Sequence, residues 1–165
     1  MDGDAAFEEW FLRCYPLARS LAYRILGSMA PAEDAAAEAF VRAYADWRRV
    51  ESLAYRDAWV MRVATNLAID VARRSPPPPS RSITPSADDA EELVALRSTL
   101  IAALAALPKR QREAVVLRHL AGYPAQDVAT AMGVSGNSVK KHLQRGLARL
   151  RQTVPTEEGA DLGIV

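Results

Sequence analysis

Apolar residues recur along this chain at helical spacing, and the strict alternation typical of β-strands is nearly absent. Phe7, Trp10 and Phe11 begin one apolar face. Leu93 and Leu96 begin another, which continues toward residue 107. Spacings of three and four residues place side chains on one side of an α-helix. The pattern therefore predicts an all-α protein with helices over 5–26, 31–47, 57–74, 91–107, 109–122, 124–132 and 135–150.

Residues 122–150 have the spacing of a helix-turn-helix. Gly133 ends the first helix where left-handed backbone is usual, and Ser135 is a suitable N-cap for the second. Val139 and Leu143 fall on the inner face of that second helix. Its outer face carries short polar groups and cations, namely Asn137, Ser138, Lys140, Lys141, Gln144 and Arg145. Reading a DNA groove requires such a face, and a solvated amphipathic helix is the alternative.

A proline-rich segment divides the predicted helices into two groups. Residues 75–90 include four consecutive prolines, which are excluded from a helix interior and favour extended polyproline II. The segment predicts an interdomain linker, with an ordinary surface loop as the alternative. We therefore expect two small helical domains joined by a Pro-rich linker. Their boundaries are 1–74 for the first domain, 75–90 for the linker, 91–154 for the second domain and 155–165 for a tail.

Charge is unevenly distributed along the chain, although the formal net charge is only +1. Residues 109–151 contain nine Lys and Arg against two acidic residues. Residues 48–74 contain six Arg against three acidic residues, whereas residues 1–47 contain four Arg against eight acidic residues. A basic C-terminal domain attracts phosphate groups. The acidic beginning of the chain indicates a protein partner instead.

The composition argues against several other classes of protein. No apolar run is long enough for a transmembrane helix, and the N-terminus is acidic where a secretory signal is basic. Cys14 is the sole cysteine, which excludes an internal disulfide and fits a cytoplasmic location. His119 and His142 lie in separate predicted helices, so we expect no metal and no cofactor. Catalytic motifs are absent, so we expect neither an enzyme nor a small-molecule substrate.

Three segments resemble regions 2 and 4 of an extracytoplasmic-function (ECF) sigma factor, a small two-domain group of the sigma-70 family. They are PAEDAAAEAFVRAYADW, AWVMRVATNLAIDVARR and LAALPKRQREAVVLRHLAGYPAQDVATAMGVSGNSVKKHLQRGLARLR. The resemblance extends from about Phe7 to Arg151. It implies a factor that binds core RNA polymerase at the β′ clamp helices and β flap, recognises the minus-thirty-five and minus-ten promoter elements and promotes DNA melting. Members of the group commonly have an anti-sigma factor as a further partner.

The resemblance also implies roles for residues of the first domain. The acidic helix would dock on the clamp helices through Asp34, Glu38, Phe40, Val41, Arg42 and Tyr44. The loop 48–57 would capture a flipped base of the minus-ten element, and the helix after it would line the same DNA. The residues concerned are Arg48, Arg49, Tyr55, Arg56, Arg62, Asn66, Asp70, Arg73 and Arg74.

Two of these residue types have the chemistry for binding an unpaired base. An asparagine presents both a donor and an acceptor to a base edge, and a tyrosine ring stacks on a base. A structural role in supporting the loop is the alternative for Asn66, and core packing is the alternative for Tyr55 and Trp59.

In the second domain, the resemblance implies that the outer face of helix 135–150 reads the minus-thirty-five element as duplex. Arg112 and Arg118 would hold phosphates. Many members have arginines where this chain has Lys140 and Lys141, and a lysine is a point charge rather than a bidentate fork. We therefore expect phosphate contacts from the lysines and base contacts from Asn137 and Gln144.

Two other functions fit parts of the sequence. A regulator that binds duplex DNA would use the helix-turn-helix alone, with the first domain for dimerisation or sensing. A helical protein-interaction module would leave the basic helix as a solvated face. Neither needs a second arginine-rich surface at 48–74 beside an acidic docking helix, which favours the promoter-recognition factor.

Overall fold

The computed structural model describes residues 2–74 and 87–154, and every regular element in these ranges is helical. The expected tail at 155–165 and residues 75–86 of the expected linker lie outside the described residues. The helices are α1 (Asp2–Leu26), α2 (Met29–Ala45), α3 (Trp47–Glu51), α4 (Arg56–Arg74), α5 (Ala87–Ala106), α6 (Lys109–Val115), α7 (Ala125–Met132) and α8 (Gly136–Thr153). A π-helical turn, Val116–Leu120, extends α6. Helix α5 thus begins inside the range that the prolines predicted as linker.

Helices α1–α4 form what we call the N-terminal lobe, which encloses an aromatic core. Trp10 and Phe40 are buried, and their ring centroids lie 5.0 Å apart. The indole N–H of Trp10 donates to Asp57 Oδ1 at 2.6 Å, which connects α1 to the start of α4. Paired aromatic rings stabilise a small core beyond the area that they bury.

A short helix, α3, occupies much of the segment predicted as the loop 48–57, which corrects that prediction. Two residues of this helix, Trp47 and Val50, are buried. A helix of this length has little stability of its own, so packing of these two side chains accounts for it. Only residues 52–55 are non-helical before α4 begins at Arg56.

Helices α5–α8 form the C-terminal lobe, in which α6 and α8 cross closely at Gly146. A Cβ atom on this buried glycine would lie 2.9 Å from the Val115 side chain and 3.4 Å from the Gln111 carbonyl oxygen. The missing side chain therefore permits the close approach of the two helices.

The buried face of α5 differs from the predicted one at its beginning. Leu104 and Leu107 are buried as expected, but Leu93, Leu96 and Leu100 are exposed. At this end the helix instead turns Val94 and Arg97, together with Ile101 of the expected face, toward α1 and α4, around a cavity of about 710 Å³. Helical spacing indicates which side chains share a face, and the tertiary contact decides which face is inward.

The two lobes pack against each other in this structure. One hydrophobic cluster joins Trp10 and Met61 of the N-terminal lobe to Leu117 and Val128 of the C-terminal lobe. A second cluster joins residues of α1, α2 and α4 to residues of α5, α6, the π-turn and α8. No helix among the described residues has both the length and the apolar character to cross a membrane.

Candidate nucleic-acid interface

The helix-turn-helix has the local geometry that its sequence predicts. Gly133 ends α7 in left-handed backbone, with φ of 64°. The Ser135 hydroxyl accepts from the Ser138 backbone N–H at 3.2 Å, which confirms Ser135 as the N-cap of α8. Val139 and Leu150 are buried on the inner face of that helix. Backbone conformation and capping together orient α8 across the rest of the lobe.

The outer face of α8 carries most of the residues expected to read the minus-thirty-five element. Asn137, Lys140, Lys141, Gln144 and Arg145 are exposed. Ser138 is partly exposed and its hydroxyl is 2.9 Å from that of Ser135, so it belongs to the cap. The face therefore combines exposed cations with amide groups that suit a base edge.

Arg112 is held inside the C-terminal lobe, unlike the cations of α8. Its guanidinium donates to the Ala105 carbonyl at 3.3 Å, and its Nε is buried without a hydrogen-bond partner among the described residues. This arginine joins the end of α5 to α6, so the phosphate contact expected of it is not available in this structure. Arg118, on the π-turn, is partly exposed.

The face of α4 expected to line the minus-ten DNA points toward the C-terminal lobe. The Asn66 amide donates to Glu113 Oε1 at 3.4 Å. Arg62 Nη1 donates to the Ala131 carbonyl at 3.2 Å, and Arg62 Nε lies 4.0 Å from Glu113 Oε1. Asn66 therefore makes an interlobe contact. Further along α4, Asp70 is partly exposed, and Arg73 and Arg74 are exposed.

Arginines of the 48–57 segment lie against tryptophan rings. The Arg56 guanidinium is 5.7 Å from the Trp47 ring centroid, and the Arg49 guanidinium is 5.8 Å from that of Trp59. Arg49 is also paired with Asp46, and both Arg48 and Arg49 are exposed. Cation–π contacts of this kind hold an arginine in place while leaving part of its charge in solvent.

Tyr55 and Trp59 are both partly buried, so neither is a fully buried core residue. Trp59 packs against the first hydrophobic cluster. The Asp127 carboxylate of α7 raises the pKa of Tyr55, which places this tyrosine beside the C-terminal lobe. The base-stacking and packing interpretations both remain compatible with partly exposed rings.

The exposed face of α2 carries both carboxylates and large apolar side chains. Val41 and Tyr44 are 61% and 54% exposed, and Asp34 and Glu38 are exposed beside them. Arg42 Nε pairs with Glu38 at 2.8 Å. The expectation that Phe40 contacts the clamp helices is wrong, because Phe40 is 2% exposed and packs in the aromatic core.

Two residues that sequence reasoning did not single out join the lobes. Glu113 is 3% exposed and is the acceptor for Asn66. Arg97 donates to the Tyr23 and Arg24 carbonyls at 2.9 Å each and to the Ile25 carbonyl at 3.3 Å, so it caps the C-terminus of α1. A single arginine or glutamate on an amphipathic helix carries no signal of such a role. Among the described residues, no group of His, Cys, Asp or Glu is arranged as metal ligands.

Comparisons with known proteins identify the class to which this fold and these surfaces belong. Residues 10–75 match Sigma-70 region 2, and residues 97–150 match Sigma-70, region 4. The RNA polymerase sigma-E factor of Streptomyces coelicolor is 36% identical over 150 residues, which cover 88% of this chain and 84% of that protein. The ECF RNA polymerase sigma factor SigW of Bacillus subtilis is 28% identical over 151 residues, or 80% of each chain.

Solved structures show the same fold. The sigma factor RpoE of Bartonella quintana, in complex with the anti-sigma factor NepR, has a TM-score of 0.54 at 22% identity and covers 90% of this chain and 96% of its own. CnrH, in complex with the cytosolic domain of CnrY, has a TM-score of 0.54 at 22% identity and covers 89% and 86%.

The chain belongs to the sigma-70 family of RNA polymerase sigma factors, in its ECF group. It is a promoter-recognising transcription initiation factor and not an enzyme. The predicted family, all-α fold and class of function are thereby confirmed.

Proposed function

We propose that this chain reads the minus-thirty-five element with the outer face of α8, reads the minus-ten element with α4 and the 48–57 segment, and docks on the polymerase clamp helices with α2. The observation that carries the proposal is the exposed cationic and amide face of α8, set by the Gly133 turn and the Ser135 cap. A helix presented in this way suits insertion into a major groove.

The proposed docking surface of α2 consists of Asp34, Glu38, Val41 and Tyr44. Two large apolar side chains exposed beside carboxylates are typical of the centre and rim of a protein interface. Phe40 supports this surface from below through its contact with Trp10. Arg42 contributes by positioning Glu38, with which it pairs.

In α4, Asn66 has the chemistry for base recognition, and Arg62, Arg73 and Arg74 supply cations beside it. An amide that donates to a carboxylate in one state can donate to a base acceptor in another. The exposed Arg48 and the partly exposed Tyr55 precede α4 in the chain. Capture of an unstacked base is compatible with such a mixed polar and aromatic surface.

Run-off transcription with purified core RNA polymerase tests the proposal, using promoters selected from a random template pool. We expect transcripts that depend on this chain. The double variant Val41→Ala, Tyr44→Ala should weaken core binding, because it truncates the proposed apolar centre of the α2 surface. The matched control is Leu17→Ala, which removes a comparably exposed apolar side chain from α1. No chain-dependent transcript from any template would contradict the function.

We propose a cytoplasmic location, where core RNA polymerase and promoter DNA are found, and an anti-sigma factor as a further partner. Support for the partner comes from the similar solved structures, in which the sigma factor RpoE is in complex with the anti-sigma factor NepR and CnrH is in complex with the cytosolic domain of CnrY. Affinity purification of the chain from its native cell, with identification of co-purifying proteins other than polymerase subunits, tests this second partner.

A further inference from the structure

The cavity of about 710 Å³ lies between α5 and three helix ends of the N-terminal lobe, namely the end of α1, the start of α2 and the end of α4. Its walls are aliphatic, and none of the described residues that line it is aromatic or acidic. The larger aliphatic residues of the lining are Ile25, Leu26, Pro31, Val71, Val94 and Ile101. Ligand pockets in proteins commonly have volumes of roughly 300–1,000 Å³. The cavity therefore has the size and the lining of a site for an apolar small molecule.

One end of this cavity, at the junction of α1 and α2, carries a guanidinium. Arg97 of α5 lines the cavity and donates through Nε to the Ile25 carbonyl at 3.3 Å and through Nη2 to two further carbonyls of α1 at 2.9 Å each. A Cβ atom on Gly27 would lie 2.2 Å from Arg97 Nη1, so the glycine leaves the space that this nitrogen occupies. Within the parts of the chain that the structure describes, Nη1 donates to no acceptor. It is therefore available to an anion in the cavity.

Other groups add to the positive potential at this end. Ser28 also lines the cavity, and although it is the N-cap of α2, its hydroxyl makes no capping hydrogen bond. The N-terminus of α2 carries a partial positive charge, because the first N–H groups of a helix have no intrahelical acceptor. Arg73 of α4 is a second cation in the lining. Partial burial lowers the pKa of Arg97, which indicates that its charge is incompletely solvated. A bound anion would supply the charge that water supplies elsewhere.

We propose that this cavity binds a fatty acid, a ligand with one carboxylate and an unbranched hydrocarbon chain. The carboxylate accepts from Arg97 Nη1 and the Ser28 hydroxyl, and the hydrocarbon chain follows α5 toward Ala106, which also lines the cavity. Between Arg97 and Ala106 the helix rises about 14 Å, which suits an extended chain of medium length. A neutral or cationic head group would leave the guanidinium without a charged partner. The site shares no residue with the surfaces assigned to polymerase on α2 and to duplex DNA on α8.

Both lobes line the cavity, so the site is complete only while the lobes are packed together. Ile25 and Val71 belong to the N-terminal lobe, and Val94 and Ile101 belong to the C-terminal lobe. A ligand that binds the folded chain and not the unfolded chain stabilises the folded chain by mass action. Fatty acid should therefore raise the midpoint of thermal unfolding, by an amount that grows with its concentration.

Isothermal titration calorimetry of the full chain tests the site with octanoate, decanoate and dodecanoate, each below the concentration at which it forms micelles. We expect saturable binding of one molecule per chain. Affinity should rise by up to about fourfold for each added methylene, because each one buries more apolar surface. Decanol and decyltrimethylammonium have the same chain without the carboxylate. They should bind at least about tenfold more weakly than decanoate, because they do not accept a charged hydrogen bond from Arg97.

Two variants separate the hydrocarbon site from the carboxylate site. Ala102→Phe places a ring in the cavity from an exposed position of α5 and should weaken decanoate binding at least about tenfold, because the ring displaces buried methylenes. Ala95→Phe, also exposed on α5 but outside the cavity, is its matched control. Arg97→Met should abolish the preference for decanoate over decanol while leaving decanol affinity within about twofold, because the chain contacts are unchanged. Arg19→Met, whose arginine pairs with Glu33, is the control for the lost charge.

The absence of saturable decanoate binding to the wild type would overturn the inference, and so would equal binding of decanoate and decanol. Decanoate binding that Ala102→Phe leaves unchanged would mean that the fatty acid binds elsewhere. A further variant replaces residues 76–83, between α4 and α5, with Gly and Ser. Decanoate binding by this variant alone would show that the chain itself fills the cavity, which also contradicts the proposal. If circular dichroism shows that Arg97→Met is unfolded, Ala102→Phe and the head-group comparison decide.

Discussion

Gly133 and Gly146 are required for different physical reasons, although both lie in the helix-turn-helix. Gly133 has positive φ at the end of α7, which a side chain would strain. Gly146 has ordinary helical backbone, and what it provides is room for Val115 and Gln111. Turn chemistry in the sequence predicts the first glycine. The second lies within a regular helix, where no local pattern indicates a crossing partner.

Gly146→Ala should lower the free energy of unfolding by about 1 kcal/mol. Overpacking costs typically ~1–3 kcal/mol, and alanine returns roughly 1 kcal/mol of helix propensity. Urea unfolding measures the difference. Gly136→Ala is the control, because nothing lies within 4 Å of its Cβ position. Adding Val115→Ala should relieve the clash, so the double variant should be more stable than the sum of the single effects. A more stable Gly146→Ala single variant would contradict the close crossing.

At the scale of the helix, the two faces of α8 are under different constraints, because one is buried and the other is exposed. The inner face is fixed by burial of Val139 and Leu150, so its side chains cannot change without loss of packing. The outer face is exposed, so packing does not restrict its composition. Helix α2 follows the same rule, with Phe40 buried and Val41 exposed on adjacent positions.

The double variant Lys140→Ala, Lys141→Ala should weaken DNA binding similarly across sequences. Each lysine that contacts a phosphate contributes about one unit to the slope of log K against log[salt], so the slope should fall by about two units. Filter binding or fluorescence anisotropy at several salt concentrations measures it. Arg19→Ala, in the N-terminal lobe, serves as the control. An unchanged slope would mean that these lysines do not face DNA.

Much of this architecture is predictable from local patterns, and the relation between the lobes is not. The Ser135 cap, the Gly133 turn and the outer face of α8 follow from residues only a few positions apart. The contact of Asn66 with Glu113 joins positions 47 residues apart, and the contacts of Arg97 with α1 span more than 70. Helical periodicity gives no information on such pairs. Periodicity also assigned Leu93 to a core, because it does not determine the orientation of a helix, and the family resemblance assigned the buried Phe40 to a docking surface.

At the scale of the whole molecule, Tyr123 lies between the lobes and connects their packing to pH. Burial, together with the Asp57 and Asp127 carboxylates and Cys14, raises the pKa of Tyr123 to about 12. The neutral phenol is thus favoured in the packed state. In an opened or unfolded chain, the phenol ionises near its ordinary pKa of about 10.

Stability of the packed state should therefore fall as pH rises from about 10 to 12, and Tyr123→Phe should reduce that loss. Below pH 10 the phenol is neutral in both states, so the linkage contributes nothing there. Thermal unfolding at pH 9 and pH 11 measures the difference for each protein. Tyr23→Phe, which alters an exposed tyrosine, is the control. Equal losses in the wild type and Tyr123→Phe would refute the linkage.

The hydrophobic clusters that cross from one lobe to the other have a calorimetric consequence. Because Trp10 shares a cluster with Leu117, and Ile25 shares one with Val115, neither lobe of the packed chain can melt without exposing apolar surface of the other. The packed chain should therefore show a single endotherm, with equal calorimetric and van't Hoff enthalpies. If the two lobes were separated, each would unfold as its own cooperative unit. The folding cooperativity of the chain is thus a property of the conformational state, even though regions 2 and 4 are distinct family modules.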